Sequence, residues 1–205
     1  MALWSDLVTA VHGDPFWEDY LVGTAERAPI EFAVHLGVYV EPFLGYLLEG
    51  RKTMESRFSR RRVAPYRQVQ AGDVLLLKRS GGPITGLCRI AEAWFYHLDR
   101  ISLSEIRTQY AAALCAQDPT FWETRRSASF ATLMRVDQVR SIEPLSYAKR
   151  DRRCWVVLGT APGSAWSAGP PQGTIQRPRG AGQRMYAAPE EASVVRPTGF
   201  AIGDD

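Results

Sequence analysis

Six segments with strand-type patterning constrain the fold of this chain more than any other feature of its sequence. Two helix-type segments interrupt them, and strands and helices do not alternate regularly. Such an order favours the α+β class, with about six strands in a small, barrel-like sheet and helices at its periphery. The predicted strands are residues 32–40, the residues after Gly50, 73–79, 84–95, 130–142 and 154–158.

The two ends of the chain differ from this central region, which spans residues 31–158. Residues 1–30 predict an N-terminal helical extension, because apolar residues recur at helical spacing and Asp14-Pro15 is a typical helix start. Residues 159–205 contain 8 of the 17 glycines and 6 of the 13 prolines and have no sustained apolar periodicity. We expect them to form a flexible, disordered tail.

Composition excludes several classes of protein. No run of about 18 apolar residues is present, so we expect no membrane partner, and the N-terminus lacks the basic leader of a secretory signal. Three scattered cysteines and three scattered histidines predict neither a disulfide framework nor a metal site, and no cofactor is expected. These features are typical of a cytoplasmic protein. The oligomeric state stays open.

Residues 41–57 form the segment that carries chemistry. Pro42 suits a first helical turn, and Gly50 suits the left-handed position that ends a helix. Tyr46 lies at the border of the apolar stripe of this helix, so its hydroxyl is expected to reach the edge of whatever the helix packs beside.

The strand that follows places polar side chains on one face. With a period of two, Thr53, Glu55 and Arg57 share a face, Met54 points to the core, and Lys52 lies at the mouth of the strand. In a cleft, these cations would recognise an anion, and Glu55 would orient the lysine or accept a hydrogen bond from a base. The alternative is an exposed strand face with ordinary surface ion pairs.

At these residues the sequence resembles the ASCH family of the PUA-like superfamily, whose fold is a small β-barrel. Gly50, Lys52, Glu55 and Arg57 match the hallmark pattern G-x-K-x-x-E-x-R of that family. Residues 72–75 are similar to the next strand of the family. Residues 151–158 are similar to its closing strand, with a cysteine where a glycine often precedes the tryptophan.

The resemblance implies RNA binding, and it implies hydrolysis in some branches of the family. In a metal-independent ribonuclease branch, a helix tyrosine and a serine near a late strand join the lysine; Tyr46 and Ser127 or Ser129 are the counterparts here. In an amidohydrolase branch that acts on modified nucleosides, a threonine stands where this chain has Glu55. The catalytic candidates that follow from the resemblance are Lys52, Glu55, Tyr46 and Ser129.

Charge clustering also favours a nucleic-acid partner. Between positions 51 and 67 there are seven basic residues and one acid, in a chain whose net charge is only +3. Such a patch would attract phosphates. A second basic cluster covers residues 149–153, and Tyr66, Trp94 and Tyr96 are candidates for stacking on bases. The nucleic-acid-binding candidates are Arg51, Lys52, Thr53, Arg57, Arg60, Arg61, Arg62 and Arg67.

Three hypotheses about function follow from these patterns. The first is a binding module for single-stranded RNA or a nucleotide-like ligand, in which Lys52 and Arg57 hold a phosphate. The second is a metal-independent ribonuclease, in which Lys52 stabilises the charge that develops on phosphorus. An amidohydrolase is third, and an adaptor that uses the tail is a further class.

Overall fold

The computed structural model describes residues 2–23, 31–98, 103–149 and 152–161. Five helices and six strands are found in these ranges. The helices are α1 Ala2–Ala10, α2 Pro15–Val22, α3 Phe43–Leu48, α4 Leu103–Tyr110 and α5 Pro119–Glu123. The strands are β1 Phe32–Tyr39, β2 Met54–Ser59, β3 Val74–Arg79, β4 Ile84–His97, β5 Phe130–Leu145 and β6 Trp155–Ala161.

All six strands belong to one mixed sheet, in the order β2-β5-β4-β3-β1-β6. Strands β1 and β3 are parallel, and the other neighbours are antiparallel. The longest pairing joins β4 and β5, whose register shifts at several points, and such irregularities increase the local bend of a sheet. The predicted α+β class, with six strands and peripheral helices, is confirmed.

The sheet is not closed into the predicted barrel. Among the described residues, the edge strands β2 and β6 form no backbone ladder with each other. A side chain joins the two edges instead: the Arg57 guanidinium on β2 donates to the carbonyl oxygens of Val38 and Cys154, at 3.3 and 3.4 Å. Arg57 thus connects β2 to the end of β1 and to the residue before β6 through its side chain.

The N-terminal helices pack their apolar sides into the core. Leu7, Val11, Trp17 and Leu21 are buried in one cluster with residues of β1, β3, β4 and β5. Asp14 caps α2, because its side chain accepts hydrogen bonds from the first backbone N–H groups of that helix. The two helices therefore form part of the same hydrophobic core as the sheet.

Strand β6 continues to Ala161, so the first three residues of the predicted tail belong to the sheet. Residues 162–205 lie outside the described residues, as do residues 24–30 at the end of the predicted N-terminal extension. No helix in the described part of the chain is long and apolar enough to cross a bilayer.

A buried polar network ties β1 to β6 and to the turn before β3. His35 Nε2 lies 3.0 Å from Asp73 Oδ2, and Trp155 Nε1 donates to His35 Nδ1 at 3.2 Å. Because Nδ1 accepts, Nε2 carries the proton and donates to Asp73. The backbone N–H groups of Ala33 and Gln70 also donate hydrogen bonds to the Asp73 carboxylate. Every member of the network therefore has a partner.

Candidate functional site

The turn after α3 brings the motif residues together. Gly50 has a φ of +72°, in the left-handed region that favours glycine, and the chain reverses there. The Lys52 backbone N–H then donates to the Tyr46 carbonyl oxygen at 2.8 Å, which fixes the turn. Met54 enters the core as predicted, with 6% of its surface exposed. This local geometry turns Lys52 and Glu55 toward the interior.

Lys52, Glu55 and Arg57 form a continuous line of charge. Lys52 Nζ lies 2.6 Å from Glu55 Oε2 and also donates to the Met54 carbonyl oxygen. Arg57 Nε lies 2.9 Å from Glu55 Oε1, although its N–H is not aligned on that oxygen. Both Lys52 and Glu55 are 4% exposed. The alternative of an ordinary exposed ion pair is therefore wrong for these two residues.

Aromatic rings hold the Arg57 guanidinium in place. Its carbon Cζ lies 4.8 Å from the ring centre of Tyr39 and 5.2 Å from that of Trp155. Cation–π contacts of this kind strengthen when the cation is shielded from water, and the Arg57 side chain is 16% exposed. Arg57 is consequently fixed by two rings, two carbonyl groups and one carboxylate.

These three charged residues line a cavity of about 110 Å³. Its volume is well below the roughly 300 Å³ at which pockets for drug-sized ligands begin, so it suits a single ring or one phosphate group. One wall comes from the end of β1 and from α3, and another comes from α5 and the turn after it. The remaining lining residues are Val38, Tyr39, Val40, Phe43, Ser56, Phe121 and Arg125.

Arg125 and Phe121 are cavity residues that the sequence analysis missed. The Arg125 guanidinium lies 3.5 Å from the ring centre of Phe121 and donates to the Phe121 carbonyl oxygen at 2.6 Å. Asp118 caps α5, and Pro119 begins it. An Asp-Pro pair is a typical helix start in a sequence, but the packing of α5 against β2 depends on contacts across more than sixty residues.

The cavity carries more positive than negative charge. Lys52, Arg57 and Arg125 face one carboxylate, Glu55, and no carboxylate of the described residues lies within ion-pair distance of Arg125. Burial lowers the pKa of Lys52 and of Arg125, and the charge of Glu55 partly opposes both shifts. Desolvation is the largest influence on the pKa of Arg57 and lowers it, but Glu55, Tyr39 and Cys154 together outweigh it, and the net shift is upward.

The Tyr39 hydroxyl is a buried polar group without a hydrogen-bond partner among the described residues. Tyr39 is 4% exposed and lines the cavity. Burial raises the pKa of this phenol well above its usual range, and the nearby Glu55 charge adds to the shift. The phenol therefore stays protonated at neutral pH and is able to donate or accept a hydrogen bond. Such unsatisfied groups cost free energy until a ligand or water pairs with them.

Three predicted site residues near the motif do not line the cavity. Tyr46 is half-buried, and its ring lies under the Arg51 guanidinium at 4.3 Å. Arg51 is exposed and pairs with Glu49. Thr53 is exposed and precedes β2, so it does not share the buried face of Glu55 as predicted.

The predicted serines lie beyond the other end of β2. Ser129 donates its backbone N–H to the Ser59 carbonyl oxygen, whereas Glu55 pairs with Met134, further along β5. Ser127 accepts hydrogen bonds from Arg60 and does not line the cavity. The structure thus does not bring either serine to Lys52. The pairing of β2 with β5 determines how far the serines lie from Lys52, and the motif alone does not reveal this pairing.

The predicted basic loop is exposed, but its candidate stacking rings are packed. Arg60, Arg61 and Arg62, here called the arginine loop, are exposed, as is Arg67. Tyr66 is buried against Phe95 and Phe130, and Trp94 and Tyr96 pack against a core cluster. The aromatic residues that reach the cavity are instead Tyr39, Phe43 and Phe121. In the second basic cluster, Arg150 lies outside the described residues.

Within the described ranges, no group of three or more metal-ligating side chains is present. The chemistry available at the cavity is therefore that of fixed cations, one carboxylate, one phenol and apolar rings. These groups bind anions, donate to carbonyl oxygens and accept from amino groups.

Comparison with known proteins gave matches among solved structures only. No family model matches the chain, and no curated protein matches it. An ASCH protein from Zymomonas mobilis is 12% identical, with a TM-score of 0.45 over 55% of this chain and 72% of that one. Protein EF3133 from Enterococcus faecalis V583 is 11% identical, with a TM-score of 0.40 over 69% of this chain and 99% of that one. The solved structures that are similar to this chain thus include a protein of the family that its sequence motif resembles.

Proposed function

We propose that the cavity binds the phosphate or the base of one nucleotide unit of single-stranded RNA, or of a nucleotide-like ligand, and that the chain acts as a binding module. The observation that carries the proposal is the uncompensated charge of the cavity, where three cations face one carboxylate. Unbalanced buried charge is costly, and an anionic group of a ligand would offset it. A phosphate between Arg57 and Arg125 would do so.

The apolar walls and the carboxylate of the cavity support the same ligand. Phe43 and Phe121 offer ring faces at the cavity, and nucleobases stack on such faces without regard to sequence. The Glu55 carboxylate provides an acceptor for polar atoms of a base or a ribose. Charge alone would suit any anion, whereas charge combined with ring faces favours a nucleotide.

Two neighbouring arginines provide a matched test. Arg125 lines the cavity, whereas Arg126 is exposed and lies 4.0 Å from Glu123. We expect Arg125→Gln to weaken binding of a fluorescein-labelled octauridylate about tenfold, a loss of about 1.4 kcal/mol, in fluorescence anisotropy. Arg126→Gln should change the affinity less than twofold. Equal effects of the two substitutions would show that general surface charge, and not the cavity, binds the RNA.

The ribonuclease hypothesis is tested with the same RNA. Its proposed helpers, Tyr46 and Ser129, do not line the cavity with Lys52, which is why we favour binding over cleavage. Incubation of labelled single-stranded RNA with the protein in EDTA should leave the RNA intact on a denaturing gel. Cleavage that disappears in Lys52→Met would establish the enzyme in place of the binding module. The amidohydrolase hypothesis is weaker still, because Glu55 holds the amine of Lys52 in an ion pair.

A further inference from the structure

We infer that the RNA strand continues from the cavity along β2 to the arginine loop, so that the preferred ligand is an oligonucleotide of about five nucleotides. This inference rests on the proposed function of the cavity. It adds a second contact region, the path of the RNA strand between the two regions and the length of the ligand.

Residues on one side of β2 connect the cavity to the arginine loop. Ser56 lines the cavity, and Phe58 follows it at an interval of two on the same side of β2; Arg60 comes directly after the strand ends at Ser59. The Arg125 guanidinium lies 5.8 Å from the ring centre of Phe58 and also lines the cavity. Arg125 thus bridges the cavity and the middle of β2.

The turn after α5 runs beside the same strand. The Arg60 guanidinium donates from two of its nitrogens to Ser127 Oγ, at 3.1 and 2.9 Å. Ser127 is only two residues beyond Arg125. The arginine loop and the cavity wall are therefore joined by a contact between side chains, with Arg125 and Arg60 as consecutive cations along one path.

Carboxylates in the described part of the chain do not neutralise the charge of this path. Arg60, Arg61 and Arg62 are exposed, and no carboxylate among the described residues lies within ion-pair distance of them. Arg62 lies over the ring of Phe130, with 5.4 Å between its Cζ and the ring centre, which fixes the loop against β5. Together with the cavity, the path presents six cations and one carboxylate. A phosphodiester strand is the polymer that matches a line of such cations.

The distance between the two regions sets the length of the ligand. Five residues separate Glu55 from Arg60, which corresponds to about 17 Å of extended strand. A stacked nucleic-acid strand advances about 3.4 Å per nucleotide, so about five stacked nucleotides, or fewer extended ones, cover this distance. A mononucleotide in the cavity cannot reach the loop.

A length series of oligouridylates tests the inference. Uridine monophosphate and unlabelled oligouridylates of two, three, five and eight nucleotides are compared as competitors of labelled octauridylate. We expect affinity to rise about tenfold or more between two and five nucleotides and little beyond. Binding of uridine monophosphate with no gain in affinity for the longer oligonucleotides would overturn the inference and leave the proposed function standing. No binding of any member of the series would overturn both.

Substitutions in the arginine loop test whether its residues cause the gain in affinity with oligonucleotide length. The variant Arg60→Gln/Arg61→Gln/Arg62→Gln should abolish the gain with length, keep the affinity for uridine monophosphate and reduce the salt slope for octauridylate by about two units. Arg107→Gln removes an exposed guanidinium of α4, outside both the cavity and the loop, and should change none of these values. A full gain with length in the triple variant would contradict the proposed path.

Discussion

Two buried polar clusters lie on either side of Trp155, and they differ in how fully their atoms are paired. The indole N–H donates to His35, in a network where His35, Asp73 and two backbone N–H groups satisfy one another. The Trp155 ring also contacts Arg57. The cluster around Arg57 contains excess positive charge, an unpaired phenol and a cavity.

The difference separates a structural cluster from a binding cluster. A fully satisfied buried network stabilises one conformation and has no remaining capacity for a ligand. A cluster with unpaired donors and uncompensated charge is stable only because the rest of the fold holds it together, and it gains free energy when a ligand arrives. Buried polar residues alone therefore do not identify a site; their unpaired atoms do.

The largest expected effect comes from breaking the satisfied network. Asp73→Ala removes the acceptor of His35 and of the Ala33 and Gln70 N–H groups. We expect the free energy of unfolding in urea to fall by about 3 kcal/mol, because buried donors lose their partner. Affinity for octauridylate in the absence of urea should stay within twofold. A loss of affinity in the folded variant would mean that the network also serves the site.

Lys52→Met should show the reverse pattern. It removes a cation from the cavity but leaves Glu55 paired with Arg57. We expect affinity for octauridylate to fall about tenfold, while the free energy of unfolding changes by less than about 1 kcal/mol.

Another buried lysine provides the control for this substitution. Lys78 is 7% exposed and donates to the carbonyl oxygens of Arg79 and Gly82, outside the cavity. Lys78→Met should leave affinity unchanged. If Lys52→Met lowered stability by several kcal/mol and left affinity intact, Lys52 would belong with the structural residues.

The smallest effect is a dependence on alkaline pH. Burial lowers the pKa of Lys52 below the usual lysine value of 10.5, so the unfolded chain holds this proton more tightly than the folded protein. The contribution of Lys52 to the free energy of unfolding therefore rises with pH between the folded pKa and 10.5. Affinity for RNA should fall over the same range, because the cation is lost.

A 2′-O-methyl octauridylate, which resists alkaline hydrolysis, allows this measurement. The difference between the original chain and Lys52→Met isolates the contribution of one lysine from those of the others. We expect the two affinities to converge as pH rises toward 10.5. A difference in affinity that is constant with pH would show that Lys52 does not titrate in this range, or does not act through its charge.

The sequence predicted the local parts of the site well. The helix that ends near Gly50, the strand that follows it and the burial of Met54 all depend on neighbouring residues, and the structure contains them. Six strands were also expected from the patterns, although their ends differ by several residues. The spacing of apolar residues indicates which face of a helix or strand is buried, and a short segment is enough to contain this spacing.

The parts that were missed depend on contacts distant in sequence. Arg125 meets the cavity only because α5 packs beside β2, and Ser129 is kept from Lys52 by the register of β2 with β5. Closure of the sheet was predicted from the number of strands, yet the edges are joined by one guanidinium. No pattern within a strand reveals which side chain comes between two edges.

Arg57 both stabilises the sheet and lines the cavity, and a single substitution cannot separate these two roles. The same group that fastens β2 to the ends of β1 and β6 also lines the cavity. A related chain that no longer bound the ligand would still need this arginine, and the carboxylate paired with it, to join the edges of its sheet. The motif therefore indicates the fold first, and evidence for binding has to come from cavity residues that do not join the sheet edges, such as Arg125.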